Sequence, residues 1–357
     1  MEEKEKNEYL KKIKDKFPLN AVIERLNGLK NLKVLVIGDT IIDEYVFTIP
    51  KGRASKDPIL SLHFIKSELY AGGILAIANH IADFVEKIDL ISILGDNNRN
   101  EEFIKNSLSK NIKTKFFTKK DSPTIKKKRY IDYIRNGKLF KLEYINDYPV
   151  DKETENEIIS YLKEELPKYD IVVVGDFGHG FINENIVKVL EQYSKFLAAN
   201  VQTNSANMGF NYITKYDKID YLTTNENEVR FAFSDPYGSF SDMIKKLKKN
   251  TKFRNILFTE GKIGSRYVKN ENEYLGPSLT ENVIDVVGAG DAVFAITSLL
   301  SYNDIDGELL TFISNGVGAL AVNIMGNKEN VKKENLIKFI EKLFDKEEKE
   351  DIQNELG

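Results

Sequence analysis

The chain has 357 residues, a formal net charge of −3, three histidines and no cysteine. That length suits one large α/β domain or two small ones; the missing cysteines exclude disulfides and thiolate metal sites, and so few histidines argue against an imidazole-rich metal centre. The near-balanced charge makes no case for nucleic acid or a membrane surface as a partner, no apolar run reaches the ~18–20 residues that span a bilayer, and the charged start MEEKEKNEYLKKIKDKF, without an apolar signal-peptide core, points to the cytoplasm.

Residues 1–30 read as a charged amphipathic helical extension leading into the core. Residues 32–38 (LKVLVIG) form the short apolar run of a buried parallel strand and end in Gly38 and Asp39. From about 44 to 69 the pattern changes to strand-like pieces, YVFTI and ILSLHFI, separated by turn residues. Gly72 and Gly73 then open an apolar helix, ILAIANHIADFV, and residues 90–94 give a second buried strand ending in Gly95 and Asp96. A second strand-rich patch runs from 114 to about 148. Within its TIKKKRYI, period-two alternation puts Lys127 and Arg129 on one face and Lys126 and Lys128 on the other. Such a face is either a solvated edge protected from aggregation or a basic surface for a phosphorylated substrate.

Strand–helix alternation then returns. Residues 171–175 end in Asp176, and 196–201 form another strand. Residues 221–224 precede Asn225-Glu226-Asn227-Glu228, and 255–258 precede Thr259-Glu260-Gly261. Residues 313–324 form an apolar helix containing Gly316 and Gly318, and the tail from 341 to 357 is charged and fray-prone. This alternation predicts an α/β fold, a doubly wound, mainly parallel sheet flanked by helices. The main domain spans about 31–340, and the strand-rich pieces at 44–69 and 114–148 pair into a small β-sheet lid. A lid excludes water, and because an isolated small sheet is only marginally stable, a homodimer joined through it is expected.

The stretch 283–297, VIDVVGAGDAVFAIT, carries the most chemistry. Gly288, Ala289 and Gly290 let backbone N–H groups approach a ligand. The helix start that follows favours an anion such as phosphate, and Asp291 supplies a carboxylate able to take a proton from a hydroxyl. Alone, the same residues would also serve as a plain helix cap. Val293 stands where a dinucleotide fingerprint needs its third glycine, and no GxxxxGK[ST] occurs. In doubly wound sheets ligands bind beyond the strands' carboxyl ends, which is where Asp39, Asp96, Asp176, Asn225, Glu228, Thr259 and Asp291 all fall.

The ordered series GDTIID (38–43), AGG (71–73), NENE (225–228), TEGKIG (259–264) and DVVGAGD (285–291) resembles the ribokinase-like (PfkB) carbohydrate kinases over about 31–330. Within that family it is most similar to the kinase domain of bifunctional heptose 7-phosphate kinase/heptose 1-phosphate adenylyltransferases. GDTIIDEY, GRASKDPILSLHF, PTIKKKRYI and GDFGHG (175–180) carry that likeness, with His179 where lysine is usual. No HxGH motif of an adenylyltransferase half occurs. Two departures fall on the sugar side. Ala76 stands at the asparagine of GG-x-x-N, and Asn200-Val201-Gln202-Thr203 replaces Asp-Pro-Lys-Gly, removing a positive charge ahead of an unusual NSANMGFN at 204–211.

The resemblance implies an ATP-dependent kinase for a sugar or sugar phosphate. Asp291 is then the catalytic base, and Gly288, Ala289 and Gly290 stabilise the transferring phosphoryl group. Asp39, Asp43, Gly72, Gly73, Lys127, Arg129 and Asp176 are the substrate-side candidates. Asn225, Glu228, Thr259, Gly261, Gly264 and Asn315 are the nucleotide-side ones, with Glu228 organising Mg²⁺ through water; Asn225 and Glu228 also match a helix-capping pair. A monovalent cation near Asp285 and Val287 is implied by resemblance alone. Heptose 7-phosphate phosphorylated at O1 is the most specific substrate. The rival readings are a kinase for an unphosphorylated sugar or nucleoside, and a non-catalytic sugar or nucleotide sensor on the same fold.

Overall fold

The computed structural model describes residues 3–207, 209–280 and 282–355, with side chains from 5 to 345. The first and last two residues of the expected extension and tail, and Met208, lie outside the described residues. The strands are Val34–Arg53 (β1), Leu60–Gly73 (β2), Ile88–Asn97 (β3), Ile112–Pro123 (β4), Ile125–Asp132 (β5), Lys138–Tyr144 (β6), Ile171–Asp176 (β7), Leu197–Val201 (β8), Lys218–Asn225 (β9), Lys252–Thr259 (β10), Gly264–Lys269 (β11) and Asn272–Pro277 (β12). The main sheet runs β12-β11-β10-β9-β8-β7-β1-β3-β4. It is parallel from β4 to β10, and β11 and β12 extend it antiparallel.

The apolar run that opens β1 is buried on both faces, as a parallel strand between helical layers must be. Val34 and Val36 join one hydrophobic core, Leu35 and Ile37 the other. Helices on each side close these cores, which makes the sheet doubly wound. Beyond Asp39 the same strand leaves the main sheet without a break. It pairs antiparallel with β2 and parallel with β5, and β5 pairs antiparallel with β6. The result is a four-stranded lid, β2-β1-β5-β6, rooted in the core through β1.

Two differences from the sequence reading concern this lid. Residues 44–53 do not start a new strand, because β1 continues through Gly38 and Asp39, where the apolar run was expected to end. β4 is not a lid strand. It pairs with β3 at the edge of the main sheet, burying Phe117 at 2% exposure while Lys113 points out. Lysine-studded edges of this kind resist intermolecular pairing, so β4 looks like lid sequence for a different reason.

The N-terminal stretch is two helices, Glu3–Lys16 and Leu19–Asn27, because Pro18 sits between them at the second helix's N-cap. Leu10, Ile13, Val22 and Leu26 are buried in the core. At the other end a helix spans Lys333–Glu355, pinned by Leu336, Ile340 and Phe344 and packed on the first N-terminal helix. It continues through the charged stretch expected to fray. No helix among the described residues is long and apolar enough to cross a membrane.

Candidate active site

The helix Ala289–Tyr302 begins where the carboxyl ends of the central strands open. Gly288 caps it with φ +83°, a left-handed conformation that favours glycine, and a Cβ there would lie 2.1 Å from Asn327 Oδ1. A Cβ on Gly290, by contrast, would meet no atom within 4 Å. That side of the first turn is open space that a ligand can enter; of the turn's N–H groups, which have no partner within the helix, Ala289 N donates to Val286 O at 3.4 Å.

Two cavities meet at this turn, sharing Val286 and Gly290. The smaller, about 290 Å³, is lined by Asp43, Gly73, Lys127, Arg129, Asn225, Glu228, Gly288 and Asp291, together with Ile41, Phe177, Gln202 and Asn327. The larger, about 540 Å³, is lined by Thr259, Gly261, Gly264, Ala289 and Asn315 and by the apolar Val283, Val293 and Val322. One cavity is thus charged and the other largely aliphatic, with a helix N-terminus between them.

Asp291 is 9% exposed. Burial pushes its carboxyl up to about 7; a hydrogen bond from Gln202 opposes this, and the Asp43 carboxylate reinforces it. Gln202 Nε2 donates to Asp291 Oδ1 at 2.8 Å and to Asn200 Oδ1 at 3.0 Å. Gln202 is a neutral donor, and a neutral donor at that point leaves the carboxyl more basic than an ammonium would.

The lid supplies the other wall. Arg129 donates to Asp43 Oδ1 in an ion pair, and Asn327 Nδ2 donates to Asp43 Oδ2 at 3.3 Å. Gly72 does not line the cavity but makes room for it, since a Cβ there would lie 2.2 Å from Asp43 Oδ2. Lys127 is buried beside Glu143, 4.0 Å from its Oε1, and burial holds the ammonium below its usual range. Lys126 and Lys128 sit on the far face, 3.7 and 3.1 Å from Glu44.

Asn225 and Glu228 satisfy both readings of their pattern. Asn225 Oδ1 accepts from Glu228 N at 3.0 Å and Glu228 Oε2 accepts from Asn225 N at 3.1 Å, a complete capping box. The pair lines the charged cavity rather than the aliphatic one. Burial pushes the Glu228 carboxyl up to about 7. Among the described residues no three Asp, Glu or His side chains cluster as a metal cage. A divalent cation here would rest on one or two carboxylates and on phosphate oxygens, as Mg²⁺ commonly does.

Asp39 and Asp176 are not brought to either cavity. Asp39 is fully buried, accepts from His179 N at 3.4 Å, leaves Oδ1 without a partner, and is pushed above the usual carboxylate range by burial. Asp176 accepts from Tyr216 OH at 2.8 Å and Lys215 Nζ at 2.6 Å. Both therefore hold the turn 176–180 in place from behind. The asparagines of 204–211 act in the same way: Asn207 Nδ2 donates to Gln202 O at 3.0 Å and Asn211 Nδ2 to Asp176 O at 3.2 Å. Ala76 lines a separate cavity of about 280 Å³, which shares Asn327 with the charged one.

Gln202, Phe177 and Asn327 were not legible as site residues. Gln202 had a signal, its position in the replaced Asp-Pro-Lys-Gly segment. Asn327 had none, being 284 positions from the Asp43 it touches.

Residues 31–330 match the pfkB family carbohydrate kinases. The chain belongs to that family. As a pfkB-family member it is a sugar kinase, a phosphotransferase with an alcohol acceptor. It is 25% identical over 298 residues to the bifunctional protein HldE of Aliarcobacter butzleri, covering 82% of this chain and 61% of that protein. It is 24% identical over 323 residues to the HldE of Campylobacter jejuni, covering 88% and 67%. This chain thus spans somewhat under two thirds of the Aliarcobacter relative's length. Among solved structures, the fold is shared with phosphofructokinase-2 from Escherichia coli in complex with potassium (TM-score 0.67, 14% identity, 87% of this chain and 99% of that one). It is also shared with Arabidopsis thaliana ribokinase complexed with ribose and ATP (TM-score 0.65, 16% identity, 87% and 99%).

Proposed function

We propose that this pfkB-family kinase transfers the γ-phosphoryl group of ATP to a hydroxyl of a phosphorylated monosaccharide, with heptose 7-phosphate phosphorylated at O1 as the most specific candidate. The observation that carries this is that Asp291 lines the charged cavity directly beside Gly290, which that cavity shares with one of opposite character. The sugar phosphate occupies the charged one. Asp43 takes its hydroxyls, the backbone at Gly73 allows close approach, and Lys127 and Arg129 face its phosphate. The nucleotide occupies the aliphatic one, between Thr259, Gly261, Gly264 and Asn315. A cavity of about 290 Å³ is at the small end for ligand sites and suits one sugar rather than a chain of them.

In this reading Asp291 accepts the proton of the attacking hydroxyl while the new O–P bond forms and ADP leaves. The N–H groups of Gly288, Ala289 and Gly290 stabilise charge on the moving phosphoryl group, where positioning and electrostatics do most of the work. Mg²⁺, when bound, neutralises phosphate charge; Glu228, with Asn225 beside it, would orient its water shell. The setting is the cytoplasm and the working unit a homodimer through the lid. HldE relatives matching most of this chain support the heptose reading. The lysine-to-glutamine change at Gln202 favours a second one, a kinase for an unphosphorylated sugar or nucleoside, because one cation fewer faces the acceptor.

ADP release across a panel of sugar phosphates, free sugars and nucleosides tests this. Turnover is expected with a phosphorylated sugar, heptose 7-phosphate foremost. Preference for free sugars or nucleosides would establish the second reading. Ligand binding without transfer to any of them would leave a sensor on a kinase fold and overturn the proposal.

A further inference from the structure

Lys138 opens β6 on the lid and crosses to the loop that leads into Gly288. Its Nζ lies 2.6 Å from Asp285 Oδ1. The Asp285 side chain is only 4% exposed, and it has three further donors. Val287 N donates to Oδ1 at 3.1 Å; Tyr45 OH and Gly326 N donate to Oδ2 at 2.8 and 3.0 Å. An ionised carboxylate offers about four lone-pair positions, and all of them are taken. Burial alone would raise this carboxyl, yet Lys138, Val287 N–H and Tyr45 together hold it below its usual range.

The monovalent cation implied near Asp285 and Val287 does not fit this arrangement. The single positive charge that an anionic, buried Asp285 calls for is already present, on a side chain of the protein itself. A potassium ion could bind Asp285 only by displacing an ammonium at hydrogen-bond distance. We infer that Lys138 is a built-in monovalent cation, a positioning residue that fixes the 285–287 loop and makes this kinase independent of potassium. The loop matters because Val286 lines both cavities and Val287 the charged one. Where the loop sits decides where the N–H groups of Gly288 and Gly290 point. Because Lys138 belongs to the lid, the same contact couples lid position to that aim. Phosphofructokinase-2 of Escherichia coli, which shares the fold, has been solved in complex with potassium.

The catalytic half of the inference rests on the kinase reading above, but the cation half does not, so two readouts separate them. The first is Tm of the full chain in potassium chloride against choline chloride at equal ionic strength. Wild type is expected to show the same Tm in both. Lys138→Met, which keeps the stem and removes the charge, is expected to lose Tm in choline and regain a few degrees in potassium, as a ligand that binds only the folded state would confer. The second is ADP release. The wild-type rate is expected to agree within about twofold in the two salts, whereas K138M falls roughly tenfold in choline, the order expected when a buried charge loses its partner, and recovers in potassium or ammonium. Lys138→Arg is expected to stay potassium-independent. If K138M does not fold, Lys138→Gln takes its place in both assays. Potassium raising the wild-type Tm or rate several-fold would overturn the inference, as would a charge-removing variant indifferent to potassium in both readouts. Absence of turnover with every acceptor would overturn the kinase reading alone, leaving the Tm comparison to decide the cation question.

Discussion

At the residue scale, the role proposed for Asp291 combines two demands that conflict. A general base must be ionised to act, yet burial makes its ionised form costly. Its carboxyl, pushed up to about 7, is protonated in the folded state well above the ordinary 3.8. Between those two values the folded protein holds a proton that the unfolded chain has released, so stability falls as pH rises from about 4 to about 7 and the full cost is present above it. Activity should run the opposite way, rising with pH to a plateau above about 7. Glu228 titrates in the same range and interacts with Asp291, so the inflection belongs to the pair. Asp291→Asn should lower kcat roughly 10²–10⁴-fold, the usual worth of a general base, while raising Tm at neutral pH. Near-normal turnover in that variant would remove Asp291 from the role. Gln202→Lys would place a cation on the carboxyl and should move the rising limb of the pH–rate profile down by about one unit or more. An unmoved limb would mean that another group sets it.

At the element scale, what could be read from sequence follows a physical division. Strands buried on both faces write themselves as apolar runs, so β1, β3, β7, β8, β9 and β10 were legible, and the parallel sheet with them. β11 and β12 were not. They are a short antiparallel pair at the sheet edge, with Arg266, Lys269, Asn272 and Glu273 among the residues that face solvent or ion pairs. Asp39 and Asp43 share one motif, and only the continuation of β1 into the lid carries Asp43 to the cavity and leaves Asp39 behind. No local pattern reports that. The glycines of the helix start show the same limit. Gly288 and Gly290 read alike in sequence, but only Gly288 is held at positive φ against Asn327. Gly288→Ala should cost about 1–2 kcal/mol for the left-handed conformation, lowering Tm and activity together. Gly290→Ala should leave Tm unchanged and lower kcat/KM, because its methyl would occupy the open space between the cavities. Thermal melts beside steady-state kinetics on both variants would separate these effects, and an equal loss of Tm in the two would contradict the distinction.

At the scale of the whole molecule, the lid has one face on the site and one on solvent. Paired residues of neighbouring strands share a face. Lys128 lies opposite Leu142 and Lys126 opposite Tyr144, Tyr130 opposite Phe140, Glu44 opposite Leu69 and Thr48 opposite Phe64. Lys127 and Arg129, one residue out of step, face the charged cavity. The outer face therefore carries Phe64, Leu69, Phe140, Leu142 and Tyr144, all substantially exposed, around the ion pairs that Glu44 makes with Lys126 and Lys128. Contiguous exposed apolar surface of this kind marks an interaction site, and a small sheet gains stability by covering it. In the proposed homodimer this face would meet its own copy, as a two-fold interface requires. Phe64→Asp with Leu142→Asp should convert a dimer to a monomer in light scattering behind size exclusion. Because the same strands carry Lys127 and Arg129 on their inner face, the monomer should show a raised KM for the sugar and a nearly unchanged KM for ATP. A wild-type chain that elutes as a monomer at assay concentrations would refute the interface, and an equal rise in both KM values would show that the lid serves nucleotide and sugar alike.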